Sequence, residues 1–531
     1  MPFMLKRISF VFLFAISFIG EIHAQKSWWV FFTDKNNTTF DPYSYFSPEA
    51  IFRRQKLGIS LYDSTDFPVN ENYISLVRIS VNQLGHVTRW FNGVGVDASD
   101  EEVAVLRKLP FVREVVPQTD WDIVPAFTKL FPDTTIEDDY GKDRNLKQQI
   151  DPLQGKYFSE HNLKGNGIII SVIDVGFHGV DNSPAFLKMR FNNRIRSTYD
   201  FAKDVSDVYN SKADHGTMVL SCIAGFANGA QMGLAPDATF LLAKISTNLT
   251  NQTHGEENFV AAVEWSDKQG AMIINCSDGP DENSYFPEQM NGKISLMSRT
   301  SNMAASKGIL VVVAAGNEGE TSQPQLLPPA EADSVLSVTA LNDDGIIASY
   351  SSYGPPPDFG RKPDVSAPGT AIVANGDGGY EVGEGTSFSA PLLVGFAACI
   401  IEKYPDLSPM MLIDSMRRCS SHYPYYDYSH GYGEPQASYF FDSLKVAPST
   451  FTFIKKDEGE TIKINENSMP DCRSHKSEML FYSLEDSKGR IYRYEVINIK
   501  DDDHIEISLD DLKVGTKLHV FYKNYYATES F

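Results

Sequence analysis

Basic residues are in short supply: 47 Lys and Arg stand against 69 Asp and Glu, a formal net charge of −22 over 531 residues. A nucleic-acid partner calls for a basic face that neutralises phosphate, so this balance argues against that class of function. An acidic surface instead keeps an exported protein soluble. Cysteine is scarce too. The five (Cys222, Cys276, Cys399, Cys419 and Cys472) are odd in number and widely spaced, with no paired zinc motif. Cys222, Cys276 and Cys399 lie in apolar segments and read as buried thiols, while a Cys399–Cys419 bridge stays open. Long apolar runs are missing. The stretch from Ile8 to Ile19 is too short for a comfortable membrane span. It follows Lys6 and Arg7 and precedes Ile22-His23-Ala24, so residues 1–24 read as a secretory signal cut after Ala24. No cysteine near that cut suggests a lipoprotein, and the expected destination is the medium, the periplasm or the cell surface. Internal repeats and long low-complexity segments are also lacking, and the length allows two or three domains with sizeable cores.

What is present is chemistry at element ends. In Gly385-Thr386-Ser387-Phe388-Ser389-Ala390-Pro391 a tight turn feeds an apolar, small-residue run (Leu392, Leu393, Val394, Gly395, Ala397, Ala398). The pattern predicts a buried helix with Ser387 at its N-terminus, beside orphan backbone N–H groups and the positive end of the helix dipole. A serine there most often caps a helix. It becomes a nucleophile only when a neighbouring base takes its proton.

Upstream segments supply such neighbours. Ile168, Ile169, Ile170, Val172 and Ile173 read as a strand buried on both faces, ending at Asp174. Asp214-His215-Gly216-Thr217 opens a second helical run. Gly308 to Ala315 is another fully apolar strand, running into Gly316-Asn317. Singly, each polar residue is an ordinary turn former or surface group. Together, a carboxylate, an imidazole and a hydroxyl at the ends of core elements can form a nucleophile, base and orienter set. Further strands are predicted at Phe240-Leu241-Leu242-Ala243 and Met272 to Ser277. Strands alternating with helices predict an α/β fold with a parallel sheet covered by helices on both faces.

In these motifs (Asp174-Val175-Gly176, His215-Gly216-Thr217, Gly316-Asn317-Glu318-Gly319 and Gly385-Thr386-Ser387) the chain resembles the subtilisin-like serine proteases, or subtilases, over roughly residues 140–436. The resemblance implies a catalytic triad of Asp174, His215 and Ser387. It implies an oxyanion hole from the Asn317 side chain and the Ser387 N–H, and a substrate-pairing strand at Ser277, Asp278 and Gly279. Asp278 departs from the family, where this position is usually apolar and lines a pocket. An acid there implies less preference for large apolar residues and more for basic ones. Protein or peptide substrates and no cofactor for the chemistry follow from the same likeness. Calcium is a structural ion in many relatives, yet no loop here has a recognisable calcium pattern.

Residues 25–135 resemble the inhibitory propeptide of that family, an intramolecular inhibitor, from Phe91-Asn92-Gly93 through Val116-Pro117. A strand-like alternation from Tyr73 to Val81, a capping box at Ser99-Asp100-Glu101-Glu102 and a strand from Pro110 to Val116 are expected within it. Removal is expected between Pro117 and Tyr140, near Glu137-Asp138-Asp139. Residues 140–436 would be the catalytic domain, and 445–531, with short alternating runs such as Thr461-Ile462-Lys463-Ile464, a small antiparallel β domain. The expected product is a secreted serine endopeptidase made as an autoinhibited precursor. A binding scaffold on the same fold would not need every catalytic position filled. A lipase elbow would need glycine two places after the serine, where Ser389 stands.

Overall fold

The computed structural model describes residues 26–119, 123–125, 129–132, 146, 149–246, 254–280, 284–443, 447–456, 459–469, 478–499, 504–508 and 515–531. The expected signal segment 1–24, the acidic stretch Glu137 to Asp139 and Cys472 lie outside the described residues.

Seven strands form one parallel sheet, in the order Val365–Pro368, Leu336–Leu341, Leu310–Ala314, Ile273–Cys276, Ile169–Asp174, Thr239–Lys244 and Ile195–Asp200. The central strands are buried along their whole length because helices cover both faces. Side chains alternate between the two layers. Ile170, Val172 and Leu242 pack with Val219, Leu220, Phe388 and Leu392 from the helices His215–Ala224 and Thr386–Lys403. Ile173, Ala243, Ile274 and Val311 pack with Phe259, Val263 and Met297 from the helices Gly255–Gln269 and Leu296–Ser306. The parallel α/β architecture expected from the sequence is therefore the observed one. Helix Thr386–Lys403 is long and apolar enough to cross a bilayer, but it is enclosed within this domain.

The N-terminal domain is a four-stranded antiparallel sheet in the order Gln83–Thr88, Gly93–Ala98, Lys26–Phe32 and Val112–Pro117. The capping box forms: Glu102 N–H donates to Ser99 Oγ, and Glu102 Oε2 accepts from Ser99 N–H. The strand-like reading of Tyr73 to Val81 is corrected, since Glu71–Arg78 is a helix. Asn70 caps it through the Asn72 N–H, and Ile74 and Val77 share its buried face while Leu76 and Ile79 are exposed.

At the C-terminal end, a three-stranded and a four-stranded antiparallel sheet pack together around Phe451, Ile462, Leu480, Tyr482, Val520 and Tyr522. The outer face of the larger sheet meets the parallel-sheet domain through Phe481 and Phe521 against Tyr425 and His422. The Cys399–Cys419 bridge does not form. Cys222, Cys276, Cys399 and Cys419 are all buried free thiols, and Cys399 donates to the Leu234 carbonyl while Cys419 donates to that of Met416.

Candidate active site

The sheet gathers its polar groups at the carboxyl ends of its central strands, where open α/β folds build sites. Asp174 is the last residue of its strand, and His215 the first of its helix. Both are buried, and His215 Nδ1–H donates to Asp174 Oδ1 at 2.9 Å. The Val175 N–H donates to the same oxygen at 2.8 Å. This close approach requires glycine after the histidine: a Cβ on Gly216 would come within 2.6 Å of the Gly176 carbonyl and 2.9 Å of Asp174 Cβ.

Ser387 occupies the first turn of Thr386–Lys403 and is fully buried, with its neighbour Phe388 tilted against the His215 ring at 6.2 Å. Its Oγ has no hydrogen-bonding partner among the described residues. Asn317 bonds to the residue before Ser387, Thr386. Its Oδ1 accepts from the Thr386 N–H and Oγ1–H, both at 3.1 Å, which fixes the amide plane. Its Nδ2 is then left buried without an acceptor among the described residues. Gly316, with φ 109°, makes the turn that aims this amide. Buried polar groups are rarely orphaned, so an idle hydroxyl beside an idle amide donor marks a place where a carbonyl group fits.

Ser277 joins the cluster from the end of Ile273–Cys276. Its Oγ donates to the Ser387 carbonyl at 3.2 Å and accepts from Asn275 Nδ2 at 2.8 Å. The expectation for Asp278 needs correction. Its side chain is 1% exposed and turns inward, with Oδ1 3.4 Å from His215 Nδ1, rather than lining an open pocket. The register explains this, because Cys276 pairs with Ile173 and Asp278 therefore emerges beside Asp174. Burial first, and the neighbouring Asp174 second, push the Asp278 carboxyl well above the usual carboxylate range.

The backbone of Asp278–Pro280 is paired antiparallel with the chain's own Ile123–Pro125, Gly279 opposite Val124. Lys129–Pro132 pairs in turn with Tyr380–Glu384, Lys129 opposite Glu384. The segment after the N-terminal domain thus lies along both edges that flank Ser387.

Asp174, His215 and Asp278 place one possible ligand atom each within 4.8 Å of one another. An imidazole at the centre is not a calcium donor set, which needs about six to eight oxygens.

Sequence reasoning missed the acids that hold the N-terminal domain. Trp29 Nε1–H donates to Glu256 at 2.9 Å, Gln118 Nε2–H to Glu257 at 2.7 Å, and Thr88 Oγ1–H to Glu264 at 2.5 Å. The Arg89 and Trp90 N–H groups also donate to Glu264. Arg53 and Arg54 both reach Asp267. All four acids lie on helix Gly255–Gln269, and their density there was the available signal.

A helix-covered parallel sheet with these groups at its carboxyl edge defines a subtilisin-like architecture. The chain belongs to the subtilase family: residues 165–433 match that family, and residues 27–128 match the Peptidase S8 propeptide domain of Bacteroidota. It is 29% identical over 277 residues to subtilisin NAT of Bacillus subtilis subsp. natto, covering 51% of this chain and 65% of that protein. It is 29% identical over 280 residues to the serine protease AprX of Bacillus subtilis (strain 168), covering 46% and 60%. The chain thus spans slightly less than two thirds of these relatives. The crystal structure of fervidolysin from Fervidobacterium pennivorans, a keratinolytic enzyme related to subtilisin, shares the fold, with a TM-score of 0.57 at 17% identity over 94% of this chain and 71% of that one.

Proposed function

We propose that the chain is the precursor of a secreted serine endopeptidase that cleaves peptide bonds through Ser387, His215 and Asp174. The observation that carries this reading is the buried His215–Asp174 hydrogen bond at 2.9 Å, set beside a hydroxyl and an amide donor with no partner of their own. Asp174 fixes the imidazole tautomer and stabilises the imidazolium. His215 takes the Ser387 proton as Oγ attacks the scissile carbonyl, then gives it to the leaving amine. The Asn317 amide and the Ser387 N–H at the helix N-terminus receive the oxyanion. Water then hydrolyses the acyl-enzyme with His215 again as base.

The N-terminal domain acts as the intramolecular inhibitor. The pairing of residues 123–125 and 129–132 with the two edges beside Ser387 supports this, because an incoming substrate strand would need those edges. Export rests on residues 1–24. The test is a fluorophosphonate probe with peptide mapping, together with casein hydrolysis. Probe on Ser387, lost with casein cleavage in Ser387→Ala, is the expected result. A Ser387→Ala protein that still digests casein would end the reading.

A further inference from the structure

We propose that Asp278 is a positioning residue for His215: with Asp174 it forms a carboxyl pair that holds the Nδ1 edge of the imidazole and shares one proton. This rests on His215 being the base of the reaction proposed above, but its geometry stands independently of the activity. One N–H faces two carboxyl groups, at 2.9 Å for Asp174 and 3.4 Å for Asp278. Among the described residues, both Asp278 oxygens and Asp174 Oδ2 are buried without a hydrogen-bond donor in good geometry. The titratable groups facing Asp278 are Asp174 on its strand, His215 on its helix and Cys276 on the adjoining strand. The Cys276 thiol donates to the Asp278 carbonyl, not to its carboxyl. Among the described residues, no lysine or arginine pairs with either acid.

Two carboxylates cannot both stay ionised at such a distance in a site closed to water; one keeps a proton. Asp278 is the member that keeps it, since burial and Asp174 both favour its neutral form. The pair then carries one negative charge, borne by the carboxylate that accepts the imidazole N–H. An apolar side chain at position 278 would leave Asp174 as the single orienter. Here a second acceptor stands ready on the same edge of the ring. If Asp174 loses its charge, Asp278 loses its like-charge neighbour, ionises more readily and takes the Nδ1–H. The orienter is duplicated.

The test uses the full chain carrying Ser387→Ala, with 15N-labelled histidine, so that its readout needs no catalysis. The downfield Nδ1–H proton resonance of His215 and its titration are followed in this parent, in Asp174→Asn, in Asp278→Asn and in the double variant. Expected is a hydrogen-bonded Nδ1–H that persists in each single variant and is lost in the double. Asp278→Leu, which removes the acid without leaving an unpaired amide, serves if Asp278→Asn fails to fold. In chains with Ser387 intact, kcat/KM of Asp174→Asn should exceed that of Asp174→Asn/Asp278→Asn by at least about tenfold, whereas a single orienter would leave the two equal. Loss of the resonance in Asp174→Asn alone, or its survival in the double variant, would overturn the proposal. Failure of probe labelling with the resonance pattern intact would instead count against the protease reading alone.

Discussion

The carbonyl oxygen of Ser387 accepts its hydrogen bond from the Ser277 hydroxyl, at 3.2 Å, and not from the helix it belongs to. In a helix that oxygen would bond the N–H four residues on, but that residue is Pro391, which has none. The proline frees an acceptor at the first turn, and a serine from the neighbouring strand end fills it. The backbone of Ser387 is thereby tied to the strand whose next residues, Asp278–Pro280, form an edge of the cleft. Ser277→Ala should therefore destabilise the protein by about 1–3 kcal/mol, the cost of an orphaned buried acceptor. The loss should shrink in a Pro391→Ala background, where the helix regains its own donor. Thermal or urea denaturation of the four proteins measures this coupling, and equal losses in both backgrounds would refute it.

Asn317 is held by Thr386 through its Oδ1, which leaves the Nδ2 donor without a partner among the described residues. Asn317→Ala removes that donor. Turnover should fall by about 100- to 1,000-fold with KM little changed, because the bond is made to charge that develops only in the transition state. Steady-state kinetics on a peptide substrate checks it. A loss confined to KM would place Asn317 in ground-state binding instead.

The parts of the site that the sequence disclosed are those set by local pattern. The run from Ile168 to Ile173 is long and β-branched enough to be a buried strand, so Asp174 had to stand at its end. The glycine-rich entry to an apolar helix placed Ser387 in a first turn. Side-chain direction after a strand end is different in kind. Asp278 faces His215 because Cys276 pairs with Ile173, a contact between segments about a hundred residues apart. From Tyr73 to Val81, apolar residues satisfy two periods at once, and only the Asn70 cap with packing of Ile74 and Val77 chooses the helix. The acids of helix Gly255–Gln269 read as a solvated face until a second domain is laid on them.

That interface titrates. Burial pushes the Glu264 carboxyl up to about 7, partly offset by its bonds to Thr88 and the Arg89 and Trp90 N–H groups. Hydrogen bonding to Asp97 and then Glu257 lifts His254 to about 10. Both values lie above those of the free groups, so both favour the docked state when protonated. The Glu264 contribution is complete below about pH 4.5 and is lost as pH rises through 7; that of His254 is complete below about 6.5 and lost toward 10. The N-terminal domain should be held more tightly in acid than in alkali. In the Ser387→Ala precursor, Glu264→Gln should gain stability relative to its parent between pH 4.5 and 7, and His254→Gln should flatten the decline from pH 6.5 to 10. Parallel melting curves at every pH would contradict both.

The uncut chain reaches one edge of the cleft with Pro125 opposite Asp278 and leaves along the other with Lys129 opposite Glu384, three residues before Ser387. Only four peptide bonds join Pro125 to Lys129. Antiparallel pairing on the first edge points the chain from Asp278 toward Ser277, whose hydroxyl touches the Ser387 carbonyl. Any bond presented to the Ser387 hydroxyl by the chain itself must therefore come from this short connection. The acidic stretch Glu137 to Asp139, near which removal was expected, lies beyond the second edge. The matured protein should begin at residue 126, 127, 128 or 129, and Ser387→Ala should remain uncut. N-terminal sequencing reads this directly: a mature start before Ala126 or after Lys129 would mean that the strands now paired on the two edges are not the ones delivered for cleavage.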